Sequence, residues 1–218
     1  MHSNLKIYAI AGAFAASLFA TTAFGQTKNK ACHAVYDAGS SGLRLYLYDS
    51  SLNLLASEKI AGCRIDQALE NPGARICKLP NRSETFSVTL ARLKQNNLPS
   101  SGCSADLASV QLYATAGIRL VEQELQAAGS TEQAVNFYAG LRRELSRIYP
   151  NVDNDRIEAR TITGAVEGLF ALLAVEAAVD GASRSNLGIV ETGGASAQVA
   201  ILCSTPECIK QMRSSTKS

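Results

Sequence analysis

Two short acid-and-glycine segments, each set between β-type runs, constrain this chain most. DAGSSG occupies residues 37–42 and ETGGAS occupies residues 191–196. Each begins with an acid at the end of an apolar strand pattern, continues with glycine and small residues, and leads into a second strand pattern. Glycines let backbone N–H groups approach an anion, and serine hydroxyls add donors without bulk. Either segment alone is typical of a hairpin turn, but a facing pair would hold a polyphosphate from two sides.

The acids that open these segments, Asp37 and Glu191, cannot grip a phosphate directly because like charges repel. A divalent cation, held through water, gives them a chemical role beside a polyphosphate. The sequence therefore predicts a metal-dependent phosphate site.

Hydrophobic periodicity predicts an α/β chain with the element order βββαβααβαββ. Strands are predicted over 32–36, 43–48, 52–60, 107–113, 156–162, 187–190 and 198–202, and helices over 83–94, 119–127, 132–148 and 164–179. Residues 63–79 contain Pro72, Gly73 and two cysteines, which predicts a surface loop closed by a disulfide.

The first 25 residues have the layout of a secretory signal peptide: Lys6 precedes an apolar run, and small residues follow. The alternative, a membrane anchor, is disfavoured because the run is shorter than the roughly 20 residues that a span needs. No stable membrane anchor is expected after cleavage. A formal net charge of +2, with both signs interspersed, excludes an electrostatic footprint for nucleic acid.

All six cysteines follow the predicted signal peptide, which indicates disulfides in an exported chain. Spacing favours two local pairs and leaves a third, although other connectivities stay open: Cys63 with Cys77, Cys203 with Cys208, and Cys32 with Cys103. A zinc site is less favoured, since the sequence has no C-x-x-C pair and its only histidines are His2 and His33.

Four segments, in order, resemble the signatures of the apyrase family, which includes the ecto-nucleoside triphosphate diphosphohydrolases and guanosine diphosphatases. They are DAGSSGLR from residue 37, YATAGIRL from 113, ITGAVEGLFALL from 162 and VETGGASAQVA from 190. The resemblance implies an actin-like fold whose ribonuclease H-like lobe has a mixed sheet and flanking helices.

The same resemblance implies a domain organisation. Residues 26–162 would form the first lobe, residues 163–205 would begin the second lobe with a catalytic helix and a phosphate-loop hairpin, and residues 206–218 would be a frayed tail. Family members continue beyond the fourth segment, so we expect the second lobe to be largely absent. Its first hairpin would then leave an edge exposed for self-association.

The resemblance also implies roles for individual residues. Glu167 matches the catalytic base, and Ser196 with Gln198 match the residues that hold the attacking water. Asp37 and Glu191 match the acids that hold Mg²⁺ or Ca²⁺ through water. The phosphate-binding positions would be Gly39, Ser40, Ser41, Gly42, Thr115, Gly193, Gly194 and Ala195. Arg119 is left with two alternatives, a phosphate contact or an internal ion pair that braces the loop, and neither Arg119 nor Arg44 is counted among the catalytic residues.

The implied function is metal-dependent hydrolysis of the terminal phosphate of nucleoside tri- and diphosphates, by a periplasmic or secreted protein. Three residues depart from the family pattern: Leu43, Thr192 and Glu191, which replaces the usual Asp. The extra methylene of Glu191 matters most, because errors of about 1 Å lower rates on the order of 100-fold. Together with the expected loss of most of the second lobe, this residue motivates one alternative, a weakly active or inactive nucleotide- or polyphosphate-binding protein. A second alternative is an exopolyphosphatase-like enzyme, since that related group shares the same kind of cleft but acts on inorganic chains.

Overall fold

A computed structural model describes residues 31–103, 107–178, 187–193, 196–203 and 205–208. The predicted signal peptide and residues 209–218 of the predicted tail lie outside these ranges. Within them, none of the helices combines the length and the apolar character needed to cross a bilayer.

Nine strands and five α-helices make up the described part of the chain. The strands are β1 (Cys32–Gly39), β2 (Gly42–Asp49), β3 (Leu54–Ala61), β4 (Cys77–Leu79), β5 (Arg82–Glu84), β6 (Leu107–Ala114), β7 (Ile157–Thr161), β8 (Gly188–Thr192) and β9 (Ala197–Ile201). The helices are α1 (Ile65–Glu70), α2 (Phe86–Asn97), α3 (Ala116–Ala127), α4 (Thr131–Ile148) and α5 (Gly164–Ala178).

The central sheet has five strands in the order β3-β2-β1-β6-β7. The β1–β2 and β2–β3 pairs are antiparallel, and the β1–β6 and β6–β7 pairs are parallel. An antiparallel meander extended by two parallel strands agrees with the mixed sheet that the sequence resemblance implies. The predicted α/β class and its mixed sheet are confirmed.

The core lies between this sheet and its helices. β1 alternates strictly, so that Cys32, Ala34, Tyr36 and Ala38 face inward with no exposed surface. Buried side chains of α2 and α4, among them Leu90, Leu93, Leu141 and Leu145, belong to the same apolar cluster. The Tyr36 hydroxyl donates to the Leu90 carbonyl at 2.9 Å and shares a hydrogen bond with Tyr149 at 2.7 Å, so its polar group is satisfied inside the core.

The loop predicted over 63–79 is wrong in part, because it contains α1 and β4. α1 is short, but Ile65, Ala68 and Leu69 form a buried stripe at helical spacing. The predicted start of the next helix at residue 83 is also wrong. Ser83 pairs in the β4–β5 hairpin, and Thr85 caps α2 by accepting a hydrogen bond from the Val88 N–H at 3.3 Å. α3 begins at Ala116, three residues before its predicted start.

Three disulfides join the described cysteines, and the pairing that spacing favoured is confirmed: Cys32–Cys103, Cys63–Cys77 and Cys203–Cys208. The last lies next to a separate two-stranded sheet of β8 and β9. One face of this hairpin packs on α5. Its other face exposes Val190 and Val199. The predicted division between lobes at residue 162 falls between β7 and α5 and stays a prediction.

Candidate active site

The candidate site lies at one edge of the central sheet. β1, β6 and β7 run parallel, so their carboxyl ends meet at this edge. The turn of residues 39–42 follows β1, Thr115 follows β6, and α5 begins at Gly164 shortly after β7. Ligands of α/β proteins bind outside the carboxyl ends of such strands.

The turn between β1 and β2 is built around glycine. Gly42 has φ of +146°, and a Cβ there would collide with the Ile60 carbonyl oxygen. The Ser41 carbonyl accepts a hydrogen bond from the Gly62 N–H at 3.0 Å, and the Lys59 ammonium donates to the Ser41 hydroxyl at 3.2 Å. The turn is therefore held by β3 and has a cation at its rim.

Thr115 occupies the N-cap position of α3 and faces the same turn. Within the described residues its side chain makes no capping hydrogen bond. A Cβ on Gly39 would lie 3.6 Å from the Thr115 hydroxyl, so the absence of a side chain at Gly39 keeps this hydroxyl and the start of α3 open to the turn. A helix N-terminus beside a glycine turn favours an anion.

Glu167 lies in the first turn of α5, and its side chain is 11% exposed. Its N–H donates to the Thr163 carbonyl at 3.0 Å. The Glu167 Oε2 atom accepts hydrogen bonds from Arg119 Nη2 at 3.0 Å and from Gln198 Nε2 at 3.3 Å. For Arg119, the structure thus shows the second of the two alternatives, an internal ion pair.

Gln198 reaches Glu167 from the β8–β9 hairpin, and it links Glu167 to Ser196. Gln198 is buried, and its Nε2 donates to the Ser196 hydroxyl at 2.5 Å as well as to Glu167. The Gly193 N–H donates to the Ser196 carbonyl at 2.8 Å, which shapes the turn that precedes β9. Gly194 and Ala195, two of the predicted phosphate-binding residues, lie outside the described residues.

Three carboxylates, those of Asp37, Glu167 and Glu191, interact electrostatically at this site. Burial raises the pKa of Asp37, and the field of Glu167 raises it further, whereas Arg44 and Lys59 act in the opposite direction. Burial also raises the pKa of Glu191, with further contributions from Glu167 and Asp37. The two predicted metal-binding acids and the predicted base therefore belong to one electrostatic cluster.

Two oxygens in this cluster are buried without a hydrogen-bond partner among the described residues: Oε2 of Glu191 and Oε1 of Gln198. Buried polar atoms in native proteins almost always have a partner, so both mark positions where a ligand, water or ion would bind. In the described part of the chain, no three side chains of His, Cys, Asp or Glu converge closely enough to ligate an ion directly.

Sequence reasoning missed Lys59. Its signal was the register of the meander, since Asp37 pairs opposite Arg44, and Arg44 pairs opposite Lys59. Side chains of paired residues share one face of a sheet, so the two cations follow Asp37 across three strands.

Comparison with known proteins agrees with the motifs. A profile of the GDA1/CD39 (nucleoside phosphatase) family matches residues 25–217. Among curated proteins, the chain is similar to nucleoside-diphosphatase mig-23 of Caenorhabditis briggsae, with 27% identity over 201 residues. That similarity covers 80% of this chain and 34% of the relative, so the chain spans about a third of the relative's length.

Solved structures with a similar shape include a Ppx/GppA phosphatase of Aquifex aeolicus, with a TM-score of 0.47 and 16% identity over 80% of this chain and 49% of that chain. Nucleoside triphosphate hydrolases from Neospora caninum are also similar, with a TM-score of 0.40 and 16% identity over 78% of this chain and 35% of that chain. Likeness at this level does not identify a reaction.

Proposed function

The chain belongs to the GDA1/CD39 nucleoside phosphatase family, and from this premise we propose that it hydrolyses the terminal phosphate of nucleoside di- and triphosphates with the help of a divalent cation. The observation that carries the proposal is the hydrogen-bonded group of Glu167, Ser196 and Gln198 beside Asp37 and Glu191. The curated relative is named a nucleoside-diphosphatase, which puts diphosphates first among the substrates to test.

Glu167, Ser196 and Gln198 together have donors and acceptors left that would bind one water molecule. Both bonds to the Glu167 carboxylate end on Oε2, so Oε1 is the oxygen available to accept a proton. The buried Oε1 of Gln198 is an acceptor without a partner among the described residues. The Ser196 hydroxyl accepts from Gln198 and so keeps its own hydrogen to donate. The water would donate to the two Oε1 atoms and accept from the Ser196 hydroxyl. One of its lone pairs would remain free to attack phosphorus.

In the proposed reaction this water attacks the terminal phosphorus while Glu167 accepts its proton. A bond forms between the water oxygen and phosphorus, and the phosphoanhydride P–O bond breaks, so that its electron pair leaves with the shortened nucleotide. Such a step needs positioning and charge neutralisation more than covalent chemistry.

Charge neutralisation would come from two turns. On one side, the backbone and hydroxyl groups of Gly39, Ser40, Ser41 and Gly42 would meet the phosphates together with Thr115 at the start of α3. On the other side, Gly193, Gly194 and Ala195 form the proposed cradle; the Gly193 N–H already donates to the Ser196 carbonyl, so the proposed donors to phosphate are the N–H groups of Gly194 and Ala195. Lys59 stands at the rim of the first turn and adds a positive charge there.

Asp37 and Glu191 fit a hard divalent cation, Mg²⁺ or Ca²⁺, held through water. Their carboxylates supply oxygen ligands, and one Glu191 oxygen is buried without a partner among the described residues. Burial, together with the neighbouring carboxylates, raises the pKa of each acid, and a cation bound beside them would offset both effects. When bound, the ion would neutralise charge that develops on the phosphate oxygens.

The test is phosphate release from ADP, GDP, UDP and ATP with Mg²⁺, with Ca²⁺ and with EDTA. We expect Glu167→Gln to lower kcat by about 10²- to 10⁴-fold, since a positioned base contributes this much. Glu144→Gln is the matched control, because Glu144 pairs with Arg147 on its own helix. Equal turnover by the wild type and Glu167→Gln would refute the role of Glu167.

Two outcomes distinguish the alternatives. Tight binding of a non-hydrolysable nucleotide without turnover would identify a binding protein, for which the extra methylene of Glu191 supplies a reason. Preferential hydrolysis of inorganic polyphosphate over nucleotides in a competition assay would identify an exopolyphosphatase.

Three disulfides indicate an extracellular or luminal protein. We propose secretion or export to the periplasm with the first 25 residues removed, which N-terminal sequencing of the mature protein tests. The exposed face of the β8–β9 hairpin supports the proposed self-association. Sedimentation of the wild type beside Val199→Lys tests it, and a monomer at all concentrations would refute it.

A further inference from the structure

The guanidinium of Arg119 contacts three separate segments of the site. Its Nη1 donates to the Ile162 carbonyl at 2.7 Å, and its Nη2 lies 3.0 Å from Glu167 Oε2 and 3.4 Å from Ser196 Oγ. The side chain is 20% exposed. One cation on α3 therefore holds the segment before α5, the first turn of α5 and the turn before β9.

Arg119 and Gln198 bind the same two acceptors. Nη2 of Arg119 and Nε2 of Gln198 both reach Glu167 Oε2 and Ser196 Oγ. Because Oε2 accepts two hydrogen bonds, the other oxygen of Glu167 is left to react. Because the Ser196 oxygen also accepts two, its hydrogen has to point elsewhere.

We propose that Arg119 is a positioning residue: it selects the reacting oxygen of Glu167 and turns the Ser196 hydroxyl into a donor toward the attacking water. This inference rests on the proposed function. Direct phosphate binding by Arg119 is the less favoured role, since both terminal nitrogens of its guanidinium already donate to protein acceptors. A phosphate-binding arginine offers that fork of donors to the ligand.

Steady-state kinetics of Arg119→Met and Arg119→Lys test the proposal. We expect Arg119→Met to lower kcat by about 10- to 100-fold with KM changed by less than about threefold, because a misplaced water and base affect the transition state rather than substrate binding. Arg119→Lys should recover part of kcat, since an ammonium pairs with Glu167 but lacks the fork that also holds Ile162.

Arg147→Met is the matched control, because it removes an arginine from an exposed pair with Glu144 on α4. Its kcat and KM should equal those of the wild type. A rise in KM at unchanged kcat in Arg119→Met would overturn the proposal and assign Arg119 to phosphate binding, while turnover by the wild type would keep the proposed function standing.

A double-mutant cycle tests the interaction between Arg119 and Glu167 without a measurement of turnover. Urea unfolding of Arg119→Met, Glu167→Gln and the double variant should show coupling of about threefold or more in the unfolding constant, as contacting charged residues do. Additive effects would overturn the proposal. A wild type without turnover on any substrate, combined with clear coupling, would refute the proposed function and leave Arg119 as the residue that holds Glu167.

Discussion

The central sheet with α1–α4 and the unit formed by α5 with the β8–β9 hairpin are built differently. In the first, the large apolar side chains on the inner face of β1, β2 and β6 are buried. In the second, Val190 is 72% exposed and Val199 is 65% exposed, on a sheet of two strands. A two-stranded hairpin is marginally stable without a partner layer, and here α5 covers one of its two faces.

The residues of the proposed reaction are distributed unequally between the two units. The proposed reacting groups Glu167, Ser196 and Gln198 all lie on the second unit, whereas Arg119, which orients them, comes from the first. Elements that move around a ligand are drawn from the less stable part of a protein. We therefore expect the first unit to be the more stable framework and the second to be the part that unfolds more readily.

The largest expected effect concerns the disulfides. The Cys32–Cys103 bridge spans 71 residues and the Cys203–Cys208 bridge spans 5. Chain entropy predicts losses of about 4 and about 2 kcal/mol, respectively, when each pair is replaced by alanine. Urea unfolding followed by far-UV circular dichroism measures both. Equal losses in the free energy of unfolding would contradict the comparison, because the long bridge would then stabilise the first unit no more than the short bridge stabilises the second.

Truncation of apolar side chains should have the next largest effect, and its size should differ between the two units. Leu112 in β6 has no exposed surface, so Leu112→Ala should lower the free energy of unfolding by about 3 kcal/mol through lost burial and a residual cavity. Val199→Ala on the exposed hairpin face should change it by less than about 0.5 kcal/mol. A large loss in Val199→Ala at low protein concentration would show that the hairpin face is covered.

The framework was the more predictable part of the fold. A short apolar run predicted β1, and β-type side chains around Arg44 predicted β2, because short runs of this kind bounded by turn residues are typical of buried strands. α1 and the β4–β5 hairpin were missed because each is a few residues long and depends on packing around the Cys63–Cys77 bridge. Local pattern is weak evidence when a tertiary constraint decides the conformation.

The parts of the candidate site that lie in the two similar segments, residues 37–42 and 191–196, were predictable. Contacts between residues far apart in the sequence were not. Two acid-and-glycine segments pointed to Asp37 and Glu191 without knowledge of the fold. Arg119 was left with two alternatives because its partner, Glu167, lies 48 residues away. The contact of Lys59 with Ser41 depends on strand register, which the composition of β3 does not specify.

Placement of the first phosphate turn gives the third prediction. A Cβ on Gly117 would lie 3.1 Å from the Ser40 Cβ atom and 3.5 Å from its Cα atom, so Gly117→Ala should push this turn away from α3. We expect kcat/KM to fall about tenfold. Gly73→Ala is the control, since its Cβ would meet no heavy atom within 4 Å. Unchanged kcat/KM in both variants would show that the turn moves freely.

The smallest effect concerns the charge of Asp37. Burial and the neighbouring Glu167 raise the pKa of Asp37 despite the cations Arg44 and Lys59. In the window between the ordinary carboxyl pKa and this raised value, the folded state therefore binds more protons than the unfolded state. Stability then falls as pH rises through the window, and the full penalty is present above it.

Asp37→Asn removes that penalty and should raise Tm by a few degrees at pH 7 in EDTA, where no cation offsets the charge. The gain should shrink as pH falls toward the ordinary carboxyl range, because the wild-type side chain then becomes neutral too. Thermal unfolding at several pH values measures it, with Asp155→Asn at an exposed position as control. A lower Tm for Asp37→Asn at pH 7 would mean that attraction to Arg44 and Lys59 outweighs burial. Asp37 would then stabilise the first unit in addition to its proposed role at the metal site. The residues that stabilise the fold and those of the proposed reaction would then not lie in separate units.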